Sequence, residues 1–315
     1  MRWDELPRSD NIEDRRGEDG GGPGGFGQGG FNIPVGRGGL GIGTVVVLGL
    51  IGWALGIDPG LLIGGAEILS GGSPSQYEQP MRQAPRPTSL PTDQTGQFVA
   101  AVLGTADVQW TQILAQQRVT YQRPRLVMFT NATDSLCGAA QSAMGPFYCP
   151  SDRKVYLDTS FFDELSRRFR GCSGKACDFA RAYVIAHEVG HHVQNLLGTL
   201  PKVQQQQQAL RAARSNTAAN HLQVRVELQA DCFAGVWAYH ADQKWKLIEP
   251  GDVDAALQTA SAIGDDMLQR MRRPGAPIAP DSFTHGSSEQ RKRWFTNGLK
   301  AGTIAACDTF SVAQP

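Results

Sequence analysis

The stretch Ala186-His187-Glu188-Val189-Gly190-His191-His192 carries the spacing HExxH, and the interpretation of the whole chain depends on it. Residues four apart on an α-helix project from the same face, so His187 and His191 would stand side by side. Two such histidines can bind Zn²⁺, with Glu188 beside the metal as a general base. A motif this short also arises by chance, so other residues must complete the site.

Two histidines alone leave a catalytic zinc site incomplete, because it needs a third protein ligand and an open position for water. One class of HExxH peptidase takes a third histidine from the pattern HExxHxxGxxH, but Gln194 and Leu197 occupy the glycine and histidine positions here. A glutamate from a downstream helix is the other common solution. The segment ELQAD at 227–231 supplies one, so we expect Glu227 to be the third ligand.

Asp231 lies one helical turn after Glu227, on the same face. We expect its carboxylate to accept a hydrogen bond from the outer nitrogen of a ligand histidine, which fixes the tautomer. The alternative is that both acids are solvated surface residues. The apolar neighbours argue against that alternative, because burying two carboxylates without a cation is costly. These neighbours are Ala230, Phe233, Ala234, Val236 and Trp237.

Two further residues are candidates for supporting roles near the last helix. His285 could donate a hydrogen bond to the oxyanion that forms when a carbonyl is attacked, although a capping or surface role is equally open. Arg291, one turn into the following helix, could pair with Asp231 or assist the oxyanion. His192 is expected to be structural, because it points away from its neighbour His191.

Composition and periodicity predict an α+β domain dominated by helices, with a small β-sheet or hairpin. Lys and Arg number 30 and Asp and Glu number 30, so no basic surface for nucleic acid is expected. Residues 147–149 and 155–157 predict a hairpin, and 126–129 a further strand. Residues 144–148 are a candidate edge strand for an extended substrate. Helices are predicted over 97–117, 161–169, 178–198, 221–239, 252–271 and 287–298.

The first ninety residues differ in composition from the rest. Residues 1–37 are polar and then glycine-rich, which predicts a disordered segment. Residues 38–57 carry no charge and would span about 30 Å as a helix, which predicts one transmembrane anchor. A buried core helix and a cleaved signal peptide are the alternatives. Residues 58–91 predict a linker, and the folded domain is expected over 92–315.

Flanking cations predict the orientation of that anchor. Five arginines precede it, whereas the next cation after it is Arg82. Positive charge stays on the cytoplasmic side, so the N-terminus is expected there and the folded domain outside. An even set of cysteines in an exported domain predicts disulfides. Sequence proximity favours Cys137–Cys149 and Cys172–Cys177, which leaves Cys232–Cys307.

The segments HEVGHH and ELQADCFAGVW, with MRW at 1–3 and EDRR at 13–16, resemble the YpfJ-type neutral zinc metallopeptidase family of bacteria. The resemblance extends over most of the chain. A more distant likeness reaches the gluzincin membrane peptidases of the CAAX-protease type, whose THP-type motif is similar to Thr284-His285, with Gly286 in place of proline. The resemblance implies a zincin-like metallopeptidase fold in a bacterium, and the predicted anchor and its orientation would put the catalytic domain on the periplasmic or extracellular side of the cell membrane.

The resulting hypothesis is a membrane-anchored zinc endopeptidase that acts on protein or peptide substrates. Zn²⁺ is the expected cofactor and Glu188 the expected general base. The alternative is a zinc-stabilised binding or scaffold module without turnover. The glutamate of the motif argues against this alternative, since a structural zinc site needs no base.

Overall fold

The structure, a computed structural model, describes residues 1–17, 88–141, 145–167, 176–273 and 275–315. Its strands are β1 (Ile12–Asp14), β2 (Arg125–Phe129), β3 (Ala132–Ser135), β4 (Gly138–Gln141), β5 (Phe147–Cys149) and β6 (Lys154–Asp158). Its helices are α1 (Gln94–Gln116), α2 (Phe161–Arg167), α3 (Ala176–Leu196), α4 (Thr199–Ala212), α5 (Asn216–Trp245), α6 (Asp252–Ala262), α7 (Asp265–Arg272) and α8 (Ser288–Ala301). Short 3₁₀ turns cover Pro280–Ser282 and Ile304–Cys307. The prediction of a helix-dominated α+β fold with a small sheet is confirmed.

The larger sheet has the strand order β1-β2-β6-β5. The first three strands are parallel, and β5 pairs antiparallel with β6, with Tyr148 opposite Val155. The predicted hairpin is therefore confirmed, and β5 lies at the edge of the sheet. Strands β3 and β4 form a separate antiparallel hairpin.

Helices α3, α5 and α8 pack closely because glycines stand at their contacts. A Cβ added at Gly298 would lie 1.9 Å from the carbonyl oxygen of Cys232, and one at Gly235 would lie 2.2 Å from that of Phe295. Gly190, inside the HExxH motif, would place a Cβ 3.0 Å from the carbonyl oxygen of Ala230. These approaches bring the backbone of α5 against the helices on both sides of it.

One predicted helix is two in the structure. The prediction of a helix over 252–271 is wrong in the middle, where α6 ends at Ala262 and α7 begins at Asp265. Gly264 is extended there, and an added Cβ would lie 2.5 Å from the backbone nitrogen of Ser288. The break therefore makes room for the start of α8.

The first seventeen residues are part of the folded domain, which corrects the prediction of disorder over 1–37. Ile12 is fully buried in β1, where it pairs with Leu126. The α-ammonium group of Met1 lies 2.8 Å from a carboxylate oxygen of Glu249 and 2.9 Å from one of Asp252. The composition of this segment does not reveal that it is folded, because only a few of its side chains enter the core. Residues 18–37 lie outside the described part of the chain.

The predicted single-pass localisation is wrong. In the ranges that the structure describes, no helix has the length and apolar character needed to span a bilayer, and the predicted anchor over 38–57 falls outside those ranges. Residues 1–17 also belong to the same compact unit as the residues that follow 88, with β1 and β2 paired in one sheet. A single crossing between residues 17 and 88 would put these strands on opposite sides of the membrane.

Disulfides join Cys137 to Cys149 and Cys232 to Cys307, as predicted. The first ties the β3–β4 hairpin to the edge strand β5. The second ties α5 to the turn that follows α8. Cys177 is also disulfide-bonded, and its predicted partner, Cys172, lies outside the described residues.

Candidate metal centre

Helices α3 and α5 bring three candidate ligands together. One ligand atom each of His187, His191 and Glu227 lies within 4.8 Å of the others. Oxygen Oε2 of Glu227 is 3.2 Å from Nε2 of His187 and 3.4 Å from Nε2 of His191. The two histidines come from successive turns of α3, and the close approach at Gly190 brings the glutamate of α5 opposite them.

The outer nitrogen of His187 meets a buried ionic cluster. Its Nδ1 lies 2.8 Å from Oδ1 of Asp231, which as a carboxylate can only accept, so Nδ1 carries the hydrogen. Asp231 also accepts from the hydroxyl of Tyr183 at 2.5 Å and from Nε of Arg291 at 2.8 Å. Arg291 Nη2 donates a further bond to the aspartate at 2.9 Å. The sequence suggested that Arg291 pairs with Asp231 or assists the oxyanion, and the structure contains the pair with Asp231.

The charges in this cluster call for a cation. The carboxylates of Glu188, Glu227 and Asp231 are buried with one guanidinium, that of Arg291, which gives a net charge of −2 when the histidines are neutral. The same excess of negative charge raises the pKa of His187 to about 10, against the effect of burial. Two imidazole nitrogens and a carboxylate oxygen form a donor set that Zn²⁺ binds. The residues present therefore fit a divalent zinc ion.

Each of the other two candidate ligands has a glutamine on its outer side. Nδ1 of His191 lies 2.9 Å from Oε1 of Gln194, and Nε2 of Gln223 donates to Oε1 of Glu227 at 2.7 Å. The atoms without such partners are Nε2 of both histidines and Oε2 of the glutamate. These are the atoms that face one another.

Glu188 is buried beside the candidate ligands, at 7% exposure. None of the residues that the structure describes donates a hydrogen bond to its carboxylate. Burial raises its pKa above the ordinary value, and the nearby His187 and His191 oppose that effect. The carboxylate is therefore free to exchange a proton with a molecule in the site.

His285 lies on the loop before α8 and remains half exposed. Asp265 holds this loop, because its Oδ2 accepts hydrogen bonds from the backbone nitrogens of Thr284, His285 and Gly286 at 2.7, 2.6 and 3.1 Å. Oδ1 of the same carboxylate lies 3.3 Å from Nδ1 of His285. The imidazole is thus held at one nitrogen and accessible at the other.

His192, expected to be structural, links the HExxH helix to the sheet. Its Nε2 donates to the carbonyl of Gln122 at 2.6 Å, so Nδ1 accepts from the hydroxyl of Tyr148 at 3.0 Å. Asn195 donates to the same hydroxyl at 2.9 Å. Burial lowers the pKa of His192 to about 4, so this histidine is neutral. Two side chains of α3 therefore hold one residue of edge strand β5, Tyr148, through its hydroxyl.

Tyr183, Gln194 and Gln223 were not anticipated from the sequence. Each lies three or four residues from a candidate ligand on its own helix, which is the spacing of neighbours on one helical face. A search for polar side chains at that spacing from the ligands would have found all three.

A family model and one of the two relatives named below match almost the whole chain. Residues 1–310 match the model of a family described as "Putative neutral zinc metallopeptidase". The uncharacterized protein YpfJ of Escherichia coli (strain K12) is 45% identical over 310 residues, which cover 98% of this chain and 99% of that protein. The uncharacterized protein Mb2605 of Mycobacterium bovis is 42% identical over 225 residues, 69% of this chain and 71% of that protein. No solved structure matches this chain.

Proposed function

Because this chain belongs to the neutral zinc metallopeptidase family, we propose that it is an endopeptidase of the gluzincin type, with Zn²⁺ ligands His187, His191 and Glu227. Zn²⁺ is the cofactor that the family implies, as predicted. One observation carries the assignment of the ligands. The three atoms without an outer hydrogen-bond partner are the ones that converge on a common point.

Glu188 acts as the general base in this proposal. Zinc, when bound, supplies Lewis acidity and lowers the pKa of a water molecule towards neutrality. Glu188 takes a proton from the water that attacks the scissile carbonyl and returns it to the leaving amine. Its carboxylate suits both transfers, since it is buried beside the candidate ligands and none of the described residues donates a hydrogen bond to it.

His285 and Arg291 support the reaction from the loop and helix that follow α7. We assign to His285 a hydrogen bond to the oxyanion of the tetrahedral intermediate, since Asp265 fixes one nitrogen and leaves the other accessible. Arg291 acts through Asp231, whose charge it balances. Asp231 in turn holds His187 so that its Nε2 faces Oε2 of Glu227, where it would hold the ion.

The substrate class follows from the reaction and from the sheet edge. β5 has one edge paired with β6, and no described strand pairs with its other edge. An extended peptide can add to such an edge through main-chain hydrogen bonds. His192 and Asn195 hold this strand beside the helix that carries Glu188, so a peptide bound there would lie near the base.

The test combines metal content with cleavage of a denatured protein and a peptide library. Glu188→Gln should keep one zinc and lose about 10²–10⁴-fold in turnover. Glu289→Gln, an exposed change of the same kind on α8, is the control and should leave both unchanged. Glu227→Ala should lose zinc. Equal cleavage by wild type and Glu188→Gln would contradict the mechanism, and unchanged zinc in Glu227→Ala would contradict the ligand set.

The alternative, a zinc-stabilised scaffold without turnover, predicts a different outcome. Wild type would hold zinc and cleave none of the substrates offered. The free carboxylate of Glu188 favours the peptidase, because a structural site closes its fourth position and needs no base.

A further inference from the structure

The run of five glutamines at 204–208 contains a single buried member. In α4 the other four are exposed, whereas Gln207 is 8% exposed and faces α5. Its Nε2 donates to the carbonyl oxygen of Ala219 at 3.1 Å and to Oε1 of Gln223 at 3.0 Å. A backbone carbonyl can only accept, so the orientation of the Gln207 amide is fixed.

The fixed amide of Gln207 determines the orientation of the next glutamine. Gln223 must present its oxygen to Gln207, which leaves its Nε2 to donate to Oε1 of Glu227 at 2.7 Å. One oxygen of the carboxylate is therefore occupied from the outer side. The other, Oε2, remains for the metal.

A second pair of glutamines reaches His191 in the same way. Gln229 donates to the carbonyl oxygen of Cys307 at 3.0 Å, so its own oxygen faces Gln194. Nε2 of Gln194 donates to that oxygen at 3.0 Å and to the carbonyl of Val226 at 2.8 Å. Oε1 of Gln194 therefore faces Nδ1 of His191, which must carry a hydrogen, and Nε2 of that histidine is left as the metal-binding nitrogen.

We propose that Gln194 and Gln223 are positioning residues for the zinc site, each locked by a second glutamine, Gln229 or Gln207, that is anchored on a backbone carbonyl. The proposal rests on the zinc site of the proposed function and adds how two of its ligands are oriented. It leaves Nε2 of His191 and Oε2 of Glu227 as the atoms that would hold the ion.

Amides suit these positions better than carboxylates. His187 is held by Asp231, whose negative charge needs the buried Arg291 beside it. A carboxylate at Gln194 or Gln223 would add negative charge to a site that already carries an excess. The neutral amides orient the ligands without that cost, because an amide donates at one end and accepts at the other.

Methionine substitutions test the proposal, since methionine approximates the shape of glutamine and removes its hydrogen bonds. We expect Gln194→Met and Gln223→Met to weaken zinc binding by about 10–100-fold, measured by competition with a chelator. Gln207→Met should weaken it by a smaller factor, and Gln206→Met, its exposed neighbour on α4, should not change it. Unchanged zinc affinity in both Gln194→Met and Gln223→Met would overturn the proposal.

A double variant separates positioning from general damage to the fold. If Gln229 acts through Gln194, then Gln229→Met weakens zinc binding in wild type and has no further effect in the Gln194→Met background. If instead each substitution weakened zinc binding independently, so that the two factors multiplied in the double variant, the action of Gln229 through Gln194 would be overturned.

The Nδ1 proton of His191 provides a readout that needs neither zinc nor activity. Held by Gln194, it should give a slowly exchanging downfield proton resonance in wild type and Gln206→Met, and exchange rapidly in Gln194→Met. The same exchange rate in Gln194→Met and wild type would overturn the proposal. If wild type binds zinc but cleaves nothing, only the peptidase assignment fails, and the affinity and exchange measurements still decide the role of the glutamines.

Discussion

Replacing Asp231 by asparagine removes one charge from a buried cluster and hardly changes the size of the side chain. The carboxylate accepts two hydrogen bonds from Arg291, one from Tyr183 and one from His187. Asparagine offers one accepting oxygen and turns its NH₂ towards groups that are themselves donors. The variant therefore leaves the buried guanidinium of Arg291 without the carboxylate to which it is hydrogen-bonded.

The burial of this pair sets the expected magnitude. The side chains of Arg291 and Asp231 are 4% and 0% exposed, and breaking a buried ion pair costs about 3–5 kcal/mol of unfolding free energy. The pair Arg123–Asp10 is 50% and 70% exposed, and such pairs contribute about 0–1 kcal/mol. Asp10→Asn is thus a matched control for the same chemical change at the surface.

Urea unfolding followed by circular dichroism, with disulfides intact and a chelator present, measures these differences. Arg291→Met should cost about as much as Asp231→Asn, because it strands the opposite charge. The double variant should lose less than the sum of the two by at least about 2 kcal/mol, since neither charge is then unpaired. Additive losses, or a cost at Asp231 no larger than at Asp10, would refute the reasoning.

Gly298→Ala should lower the unfolding free energy by about 1–3 kcal/mol or more, because the added Cβ would lie 1.9 Å from the carbonyl oxygen of Cys232. An unchanged melting temperature would contradict this prediction. Burial raises the pKa of Asp107 to about 6, so the folded protein binds this proton more tightly than the unfolded one, and the group adds stability as the pH falls. Relative to Asp107→Asn, wild type should gain about 2–3 kcal/mol between pH 7 and pH 4 in urea titrations, and a pH-independent difference would exclude the raised pKa. Asp265→Asn should release the loop of His285 and lower kcat with zinc content unchanged; normal turnover would show that this loop needs no such support.

The pattern of the sequence was most informative where the structure is locally periodic. HExxH and ELQAD each place their polar residues on one helical face, and the structure brings the two faces together across Gly190 and Ala230. The role of Gln207 could not be predicted, because the run of glutamines at 204–208 has the composition of a solvated segment. Burial of one glutamine in five depends on the neighbouring helix, which local sequence does not reveal.

Long-range pairing explains the largest error. β1 has three residues, too few to show alternation, and its partner β2 lies more than a hundred residues later in the chain. Residues 1–20 are polar and without periodicity and a glycine-rich tract follows them, so composition predicted disorder over 1–37. The single-pass topology came from the uncharged segment 38–57 and the arginines before it, and the pairing of β1 with β2 contradicts it.

The described residues on the two sides of the range 18–87 are both held beside strand β1. Arg16 pairs with Asp93, and the backbone nitrogen of Ser89 donates to the carbonyl of Ile12 at 3.0 Å. Whatever residues 18–87 form, both of their ends are fixed at one place. For any flexible connection between two fixed ends, the closure cost grows only with the logarithm of length, so a tenfold change in length costs about 2 kcal/mol. The domain therefore holds both ends of this range at one strand, β1, far along the chain from the helices that carry the candidate metal ligands.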